Sequence, residues 1–406
     1  MPNLILNEGY QKTKTFFEEG YKDIIKHQGK PYIDLSNCAG SLILGHNSKV
    51  YKKILKKYLK INGSSFAHPN NHAVDYSKTI KKFFPSFEKI IFCNSGTEAV
   101  TKALRISRTL NKKEYIVSVV GSWHGSVDKL LFNPGNKLRP EFLSEGISNS
   151  DKKKIIFIPY NDIETSKKIL NKNKNKINSI IIEPVQACLP LNNAKRYLKF
   201  LENFCNKNNS TLIFDEMVTG VRSDNNSVQQ NYKIKPDITT IGKIIGGGMP
   251  IGVIGISKKV HKLIKGKKIF YGGTFSGNSL SSFVGNETLK YLIKNKTIIK
   301  KVNDKSKYFQ NTLNKFIYNN KMDLKIYRYS SILRIVFTNN KINNRTQRDF
   351  FENKISNKIV NFKKLLFQKN IYYPSNGIIF FSDATNYKNI DYVIKNIKEG
   401  FIKYFR

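Results

Sequence analysis

Acidic residues are scarce in this chain. Against 70 Lys and Arg there are only 29 Asp and Glu in 406 residues, for a formal net charge of +41. A surface short of carboxylates attracts phosphates, which raises a polyanion-binding reading. The pattern argues against a dedicated stripe. The cations are nearly all Lys, run from end to end, and come with abundant Asn and Ile. Those three residues share A/T-rich codons, so base-composition bias explains the charge more simply than a nucleic-acid partner, leaving only non-specific adhesion at low salt. Cysteine is also sparse. Cys38, Cys93, Cys188 and Cys205 are widely spaced with no C-x-x-C pair. That excludes a disulfide framework and a cysteine zinc site, and it points to a reducing, cytoplasmic setting. No apolar run approaches the roughly 20 residues that span a bilayer, so no membrane partner is expected. Residues 1–30 carry no apolar h-region with a cleavage site. His68 and His72 are four apart, but their Pro/Asn stretch reads as non-helical, so no metal site is expected. There is no internal repeat.

What is present is a βα pattern. Strands are expected at Lys89–Cys93, Tyr115–Val120, Ser179–Glu183, Thr211–Asp215 and Ile238–Ile241. Helical spacing separates several of them, from Thr97 and over Ala194–Cys205 for example, as in a largely parallel sheet. Further helices are expected at Tyr10–Ile25, Val50–Leu59 and Asp75–Phe84. Ligands of such sheets bind beyond the carboxyl ends of the strands. Asn94, Trp123, Glu183, Asp215 and Lys243 all fall at such ends. The Ser95-Gly96-Thr97 step between a strand and a helix is a natural phosphate seat, with unpaired N–H groups, two hydroxyls and the positive end of a helix dipole. It is also ordinary N-cap chemistry. Trp123, the only tryptophan, precedes His124 and Gly125 and could stack on a planar ring. Lys243 stands in IGKIIGGG (Ile241–Gly248), before three consecutive glycines.

Taken in order, NSGTEA (Asn94–Ala99), Trp123-His124-Gly125, LIFDE with Asp215, IGKIIGGG with Lys243 and GGTFSGN (Gly272–Asn278) resemble the pyridoxal-phosphate site of class III aminotransferases, most closely the glutamate-semialdehyde aminomutase branch. The resemblance implies an α/β fold-type-I transferase: a large domain with a mostly parallel sheet sandwiched by helices, and a small α+β domain. The boundaries expected are 1–50 for an N-terminal part of the small domain, 51–290 for the large domain and 291–406 for the rest of the small one. It also implies pyridoxal 5′-phosphate as cofactor, with Lys243 as the Schiff-base lysine and proton carrier and Asp215 on the ring nitrogen. Trp123 would lie on the ring, Met217 behind it and Glu183 on its phenolic side, with His124 supporting the loop. Ser95, Gly96 and Thr97 would hold the phosphate. Thr274 would complete that seat from a neighbouring subunit, so the resemblance implies a homodimer.

The implied substrates are a small amino donor and a keto or aldehyde acceptor. LILGH (Leu42–His46) matches the family, yet Ala39 stands where the aminomutases carry a bulky tryptophan, implying a roomier pocket. No arginine lies between Tyr10 and Gly29, and YYPSNGIIFFSDAT (Tyr372 onward) departs from the aminomutase ending. Arg334, in SILRIVF, and Arg222 are candidates for a substrate carboxylate or phosphate. An internal Asp or Glu would serve Arg334 equally well. Past about Lys290, strands at Ser331–Thr338 and Gly377–Ser382, a helix over Arg348–Lys369 and a closing helix are expected. The preferred reading is an aminotransferase, with glutamate-1-semialdehyde 2,1-aminomutase as runner-up. A racemase on the same scaffold and a basic polyanion-binding protein with a vestigial site are the rivals.

Overall fold

A computed structural model describes residues 15–61, 65–223 and 227–406. The chain forms two compact units: a larger one from Ile54–Lys296 and Ile342–Gln347, and a smaller one from the chain up to Lys53, Thr297–Lys341 and Arg348–Arg406.

The larger unit is built on a seven-stranded sheet. Its strands are β1 (Lys89–Cys93), β2 (Tyr115–Val119), β3 (Ile155–Ile158), β4 (Ile177–Ile182), β5 (Thr211–Asp215), β6 (Ile238–Gly242) and β7 (Gly252–Ile256). They lie in the order β1-β7-β6-β5-β4-β2-β3, with only β7 antiparallel to its neighbours. The reason is visible in the residues. β4, β5 and β6 are buried at every position, so both faces must be covered, and a near-continuous apolar run suits a parallel strand between helices. The helices that matter below are α1 (Asn71–Phe83), α2 (Gly96–Leu110), α3 (Ile163–Asn173), α4 (Lys195–Lys207) and α5 (Ser279–Lys294). α2 places Ala99, Val100, Ala103, Leu104 and Ile106 on one side. They pack in one cluster with Ile181, Ile213, Ile238 and Ile254 of the sheet. Each such Val, Leu or Ile side chain contributes about 1.5–3 kcal/mol on burial, so the start of α2 is fixed rigidly beside the end of β1.

The smaller unit holds a four-stranded sheet (Glu19–Tyr21, Ile24–His27, Lys30–Asp34, Ile371–Tyr372) and a three-stranded one (Lys325–Tyr329, Ile332–Val336, Ile378–Phe380). Helices Thr297–Asn319, Ser356–Gln368 and Tyr387–Phe405 complete its core through Phe309, Leu313, Phe362, Ile397 and Phe401.

Three expectations from the sequence are corrected. Of the helix expected at Tyr10–Ile25, residues 10–14 lie outside the described residues, and the rest forms two antiparallel strands. Pairing of Ile24 and Ile25 with Ile33 and Tyr32 overrides the helical spacing. The single helix expected over Arg348–Lys369 is two, Arg345–Lys354 and Ser356–Gln368, broken at β-branched Ile355 (φ −121°, ψ 25°). His72, read as non-helical, is in the first turn of α1, capped by Asn70, and its ring meets Phe283 edge-on at 5.3 Å.

Candidate active site

Six strands of the larger sheet end on the same edge, and the chemistry-bearing residues gather there. β1 leads through Asn94 into α2, where Ser95 is the N-cap, accepting the Glu98 N–H at 3.1 Å, and Glu98 in return accepts the Asn94 N–H at 2.8 Å. That reciprocal cap uses two of the donors at the helix start. The N–H groups of Gly96 and Thr97 have no intrahelical acceptor and are left for an anion. Close backbone contact holds the turn in place. A Cβ at Gly252 would lie 2.1 Å from the Ser95 carbonyl oxygen, so only glycine lets β7 run directly beneath it. Thr97 ties the turn to the next loop: its Oγ1 accepts the Ser126 N–H at 3.0 Å, and a Cβ at Gly125, itself at φ +75°, would lie 2.3 Å from that oxygen.

The same loop carries Trp123 and His124. His124 is buried, and its Nδ1 is 2.8 Å from Asp215 Oδ2 at the end of β5. The other oxygen of Asp215 accepts the Met217 N–H at 3.1 Å and the Thr240 hydroxyl at 3.2 Å. Three donors thus fix a carboxylate with almost no access to water, while His124 Nε2 is buried with no hydrogen-bond partner among the described residues. Beside it, Glu183 accepts the Trp123 N–H at 2.6 Å and the Ala187 N–H at 3.3 Å. Burial, and after it the charge of Asp215, push the Glu183 carboxyl up to about 7 against the pull of those N–H bonds. The Trp123 ring is 44% exposed.

Lys243 follows the last residue of β6 and opens a short 3₁₀ turn, Lys243–Gly246, at φ +51°. A non-glycine residue in that region is strained by about 1–3 kcal/mol, which persists where the surroundings over-determine it. They do so here. The Tyr76 hydroxyl of α1 donates to the Ile245 carbonyl at 2.5 Å, and Gly285 of α5 lets that carbonyl within 2.6 Å of where a Cβ would be. Met217 lies between the lysine turn and the phosphate turn. Its sulfur would be 2.6 Å from a Cβ at Gly242 and 3.2 Å from one at Gly96. The chain therefore brings together Ser95, Gly96, Thr97, His124, Glu183, Asp215 and Met217, with Lys243 next to Gly242. Thr274 is exposed. Its loop is anchored through Ser276 Oγ, 3.4 Å from both Glu98 Oε1 and Lys102 Nζ.

A sequence model of the family described as Aminotransferase class-III matches residues 6–354. The glutamate-1-semialdehyde 2,1-aminomutase of Wigglesworthia glossinidia brevipalpis is 38% identical over 317 residues, 76% of this chain and 72% of that protein. That of Thermosipho melanesiensis is 32% identical over 402 residues, 93% of this chain and 90% of that one. The chain belongs to the class-III aminotransferase family. Among solved structures, an omega-transaminase from Sphaerobacter thermophilus superposes with a TM-score of 0.87 at 20% identity, covering 96% of this chain and 91% of that one. A glutamate-1-semialdehyde aminomutase from Pseudomonas aeruginosa PAO1 gives 0.84 at 16%, covering 96% and 88%. The fold is that of the type-I pyridoxal-phosphate-dependent transferases, and this class-III enzyme is a pyridoxal-phosphate-dependent aminotransferase or aminomutase.

The residues present fit that cofactor. The free N–H groups at the start of α2 suit a phosphate, and the threefold-anchored Asp215 suits a protonated ring nitrogen. The Met217 sulfur leaves no room for a side chain at Gly242 and only a tight fit for one at Gly96.

Arg222 and Arg334 both make contacts within the protein. Arg222 is fully buried and donates from Nε to the Val218 carbonyl at 2.7 Å, and burial lowers its guanidinium to about 9. Arg334 takes the internal-carboxylate alternative. Its Nη2 is 3.1 Å from Glu352 Oε2, and Nη1 donates to the Asn376 carbonyl. Ala39 lies in the smaller unit, in a left-handed turn with Asn37 and Cys38. The sequence reading missed Thr240, the third anchor of Asp215. The signal was there: Thr239 and Thr240 are two hydroxyl residues inside an otherwise apolar strand.

Proposed function

We propose that this class-III enzyme moves an amino group between a small amino compound and a keto or aldehyde acceptor, with Lys243 and Asp215 as its catalytic residues. The observation that carries the reading is the His124–Asp215 pair, 2.8 Å apart and buried at the end of β5, one strand from the lysine that follows β6. When bound, pyridoxal phosphate supplies an electrophilic aldehyde carbon and a ring that takes up the electrons released at the substrate carbon. Lys243 Nζ holds and returns the proton at that substrate carbon. Asp215, oriented by the donors from His124, Thr240 and Met217 N–H, would hold a proton on the ring nitrogen. Ser95, Gly96 and Thr97 bind the phosphate, the half-exposed Trp123 covers one ring face and Met217 backs the other. Glu183 stands on the phenolic side. Arg222 and Arg334 are left out of substrate binding because each serves its own unit.

The working form is a cytoplasmic homodimer in which Thr274 of one copy reaches the phosphate of the other. Support comes from the loop itself: Phe270 and Phe275, flanking Thr274, are 75% and 58% exposed. A freshly purified protein with a visible absorption band that Lys243→Ala removes supports the reading, and a colourless wild type overturns it. Sedimentation at micromolar concentration tests the dimer.

A second reading, glutamate-1-semialdehyde aminomutase, is favoured by relatives of that name covering up to 93% of this chain. Ala39 in place of the aminomutase tryptophan and the absence of an arginine from Tyr10 to Gly29 oppose it. Supplying glutamate semialdehyde alone decides the matter. Conversion to 5-aminolevulinate without a second amino partner identifies the aminomutase, and no conversion leaves the intermolecular aminotransferase.

A further inference from the structure

Away from the strand ends, α3 and α4 enclose a groove of about 1170 Å³ on the larger unit. Both helices return from parallel strands, so they run side by side, and each turns a regular stripe to the groove. α3 and the residue after it contribute Ile163, Lys167, Asn171 and Lys174. α4 adds Lys195, Arg196, Lys199, Phe200 and further residues a turn apart. Six of the 13 lining residues are cationic and none is acidic. In the whole chain the corresponding counts are 70 cations and 29 acids in 406 residues, so the groove is enriched well beyond the general basic bias. Lys199 is the one lining cation with a carboxylate partner, Glu202, among the described residues. Lys167, Lys174, Lys195, Arg196 and Lys207 are exposed. Repulsion among five unpaired like charges on facing walls stabilises nothing in the fold, and an anion would relieve it. Four lining asparagines add amide donors and acceptors. Phe200 is half-buried at the groove, with its ring 6.4 Å from that of Tyr197.

We propose that this groove binds single-stranded nucleic acid without sequence preference. The lysines and Arg196 track the phosphates, and Phe200 offers a face on which a base stacks, the combination that non-selective single-strand sites use. A wall running from residue 163 to 174 is about 16 Å long at 1.5 Å per residue, long enough for a few nucleotides. This site is independent of Lys243 and of the amino-group chemistry.

The test is fluorescence anisotropy of a labelled oligo-dT 12-mer on the cofactor-loaded protein at about 50 mM salt. Lys167→Glu with Arg196→Glu, one reversal on each wall, should weaken binding at least tenfold. Lys258→Glu with Lys262→Glu changes the net charge equally on an exposed helix outside the groove and should change affinity less than twofold. Equal losses from the two pairs would mean that only overall charge matters, and the proposal fails. Phe200→Ala should weaken oligo-dT binding about fivefold and leave competition by inorganic polyphosphate unchanged. If it moves neither, the groove takes phosphate chains and not nucleic acid. All four proteins should keep the same visible spectrum, which reports folding of the larger unit. Lys243→Ala should bind the 12-mer as wild type does, so loss of the cofactor site and loss of this one are distinguishable.

Discussion

Each unit of this protein buries carboxylates against cations or an imidazole, and two of them, Glu352 and Asp215, stand in different surroundings. In the smaller unit Glu352 is closed on itself. It takes Arg334 at 3.1 Å, Arg348 at 3.4 Å and the Phe337 N–H at 3.3 Å. In the larger unit Asp215 takes His124, Thr240 and a backbone N–H, but its imidazole partner ends in a buried Nε2 that has no partner among the described residues. A buried polar atom without a partner costs about 1–3 kcal/mol. Glu352 joins a strand to a helix through two arginines, as a structural ion pair does, so what separates the two carboxylates is where they stand and not a count of orphaned atoms. The open one, Asp215, stands at a strand end where a ligand is expected.

Breaking the open pair should cost chemistry and breaking the closed one should cost stability. The largest effect is expected for Lys243→Ala, which should lower the turnover number by at least about 10²–10⁴-fold with little change in the urea midpoint. Steady-state kinetics with an amino donor checks it. Asp215→Asn should fall in the same range. Glu352→Ala leaves Arg334 buried without its carboxylate, while Arg348 keeps Asp349, and should destabilise by about 3–5 kcal/mol. Urea unfolding reads that loss, and the surviving folded enzyme should retain wild-type turnover. If Glu352→Ala instead abolished activity at unchanged stability, the distinction between the two carboxylates would be lost.

The open site was legible in the sequence where function forces a break with local rules. A lysine before three glycines, an acid at the end of an apolar strand and Ser-Gly-Thr before a helix all stand out against their neighbours. Strand ends at Cys93 and Asp215 followed from short apolar runs, and the third was placed at Ile241, one residue short of Gly242. Less legible was whatever depends on long-range pairing. β7 looks like its parallel neighbours and is antiparallel, because direction is set by the connection and not by side chains. The strands at Glu19–His27 carry helical spacing and are strands because Lys30–Asp34 pairs with them. The closed pair was half legible: an arginine inside SILRIVF demands an anion, but nothing local identifies Glu352 as the one that answers.

A finer comparison uses the pH dependence of the open site. Glu183 titrates at about 7 in the fold against an ordinary carboxyl value of 4.5, because burial and Asp215 disfavour its charge more than His124 and two N–H donors favour it. Being raised, it costs nothing below about pH 4, where it is protonated folded and unfolded alike. Its contribution is lost as pH rises through 7, by about 3 kcal/mol for that shift. Glu183→Gln should therefore gain stability relative to wild type between pH 5 and pH 8, by up to that amount. Parallel urea titrations at the two pH values check it, and a constant difference would mean that Glu183 titrates normally.

The smallest effect concerns backbone strain, which both units store. Lys243 sits at φ +51° and Ala39 at φ +53°. Ala39 is held there from outside itself: Asp34 accepts the Ser36 and Asn37 N–H groups at 2.7 and 2.9 Å and bonds His46 Nε2 at 2.8 Å, while Ser36 Oγ accepts the Ala39 N–H at 3.0 Å. A left-handed alanine costs about 1–2 kcal/mol, and a glycine there would recover it less about 0.4–1 kcal/mol of added freedom in the unfolded chain. Ala39→Gly should thus stabilise by roughly 0.5–1 kcal/mol, against the usual sign for a glycine substitution, and a urea midpoint resolves it. The same relief cannot be taken at Lys243, where the side chain is the reagent. If Ala39→Gly destabilises, the turn is relaxed as it stands, and the strain at Lys243 belongs to the site alone.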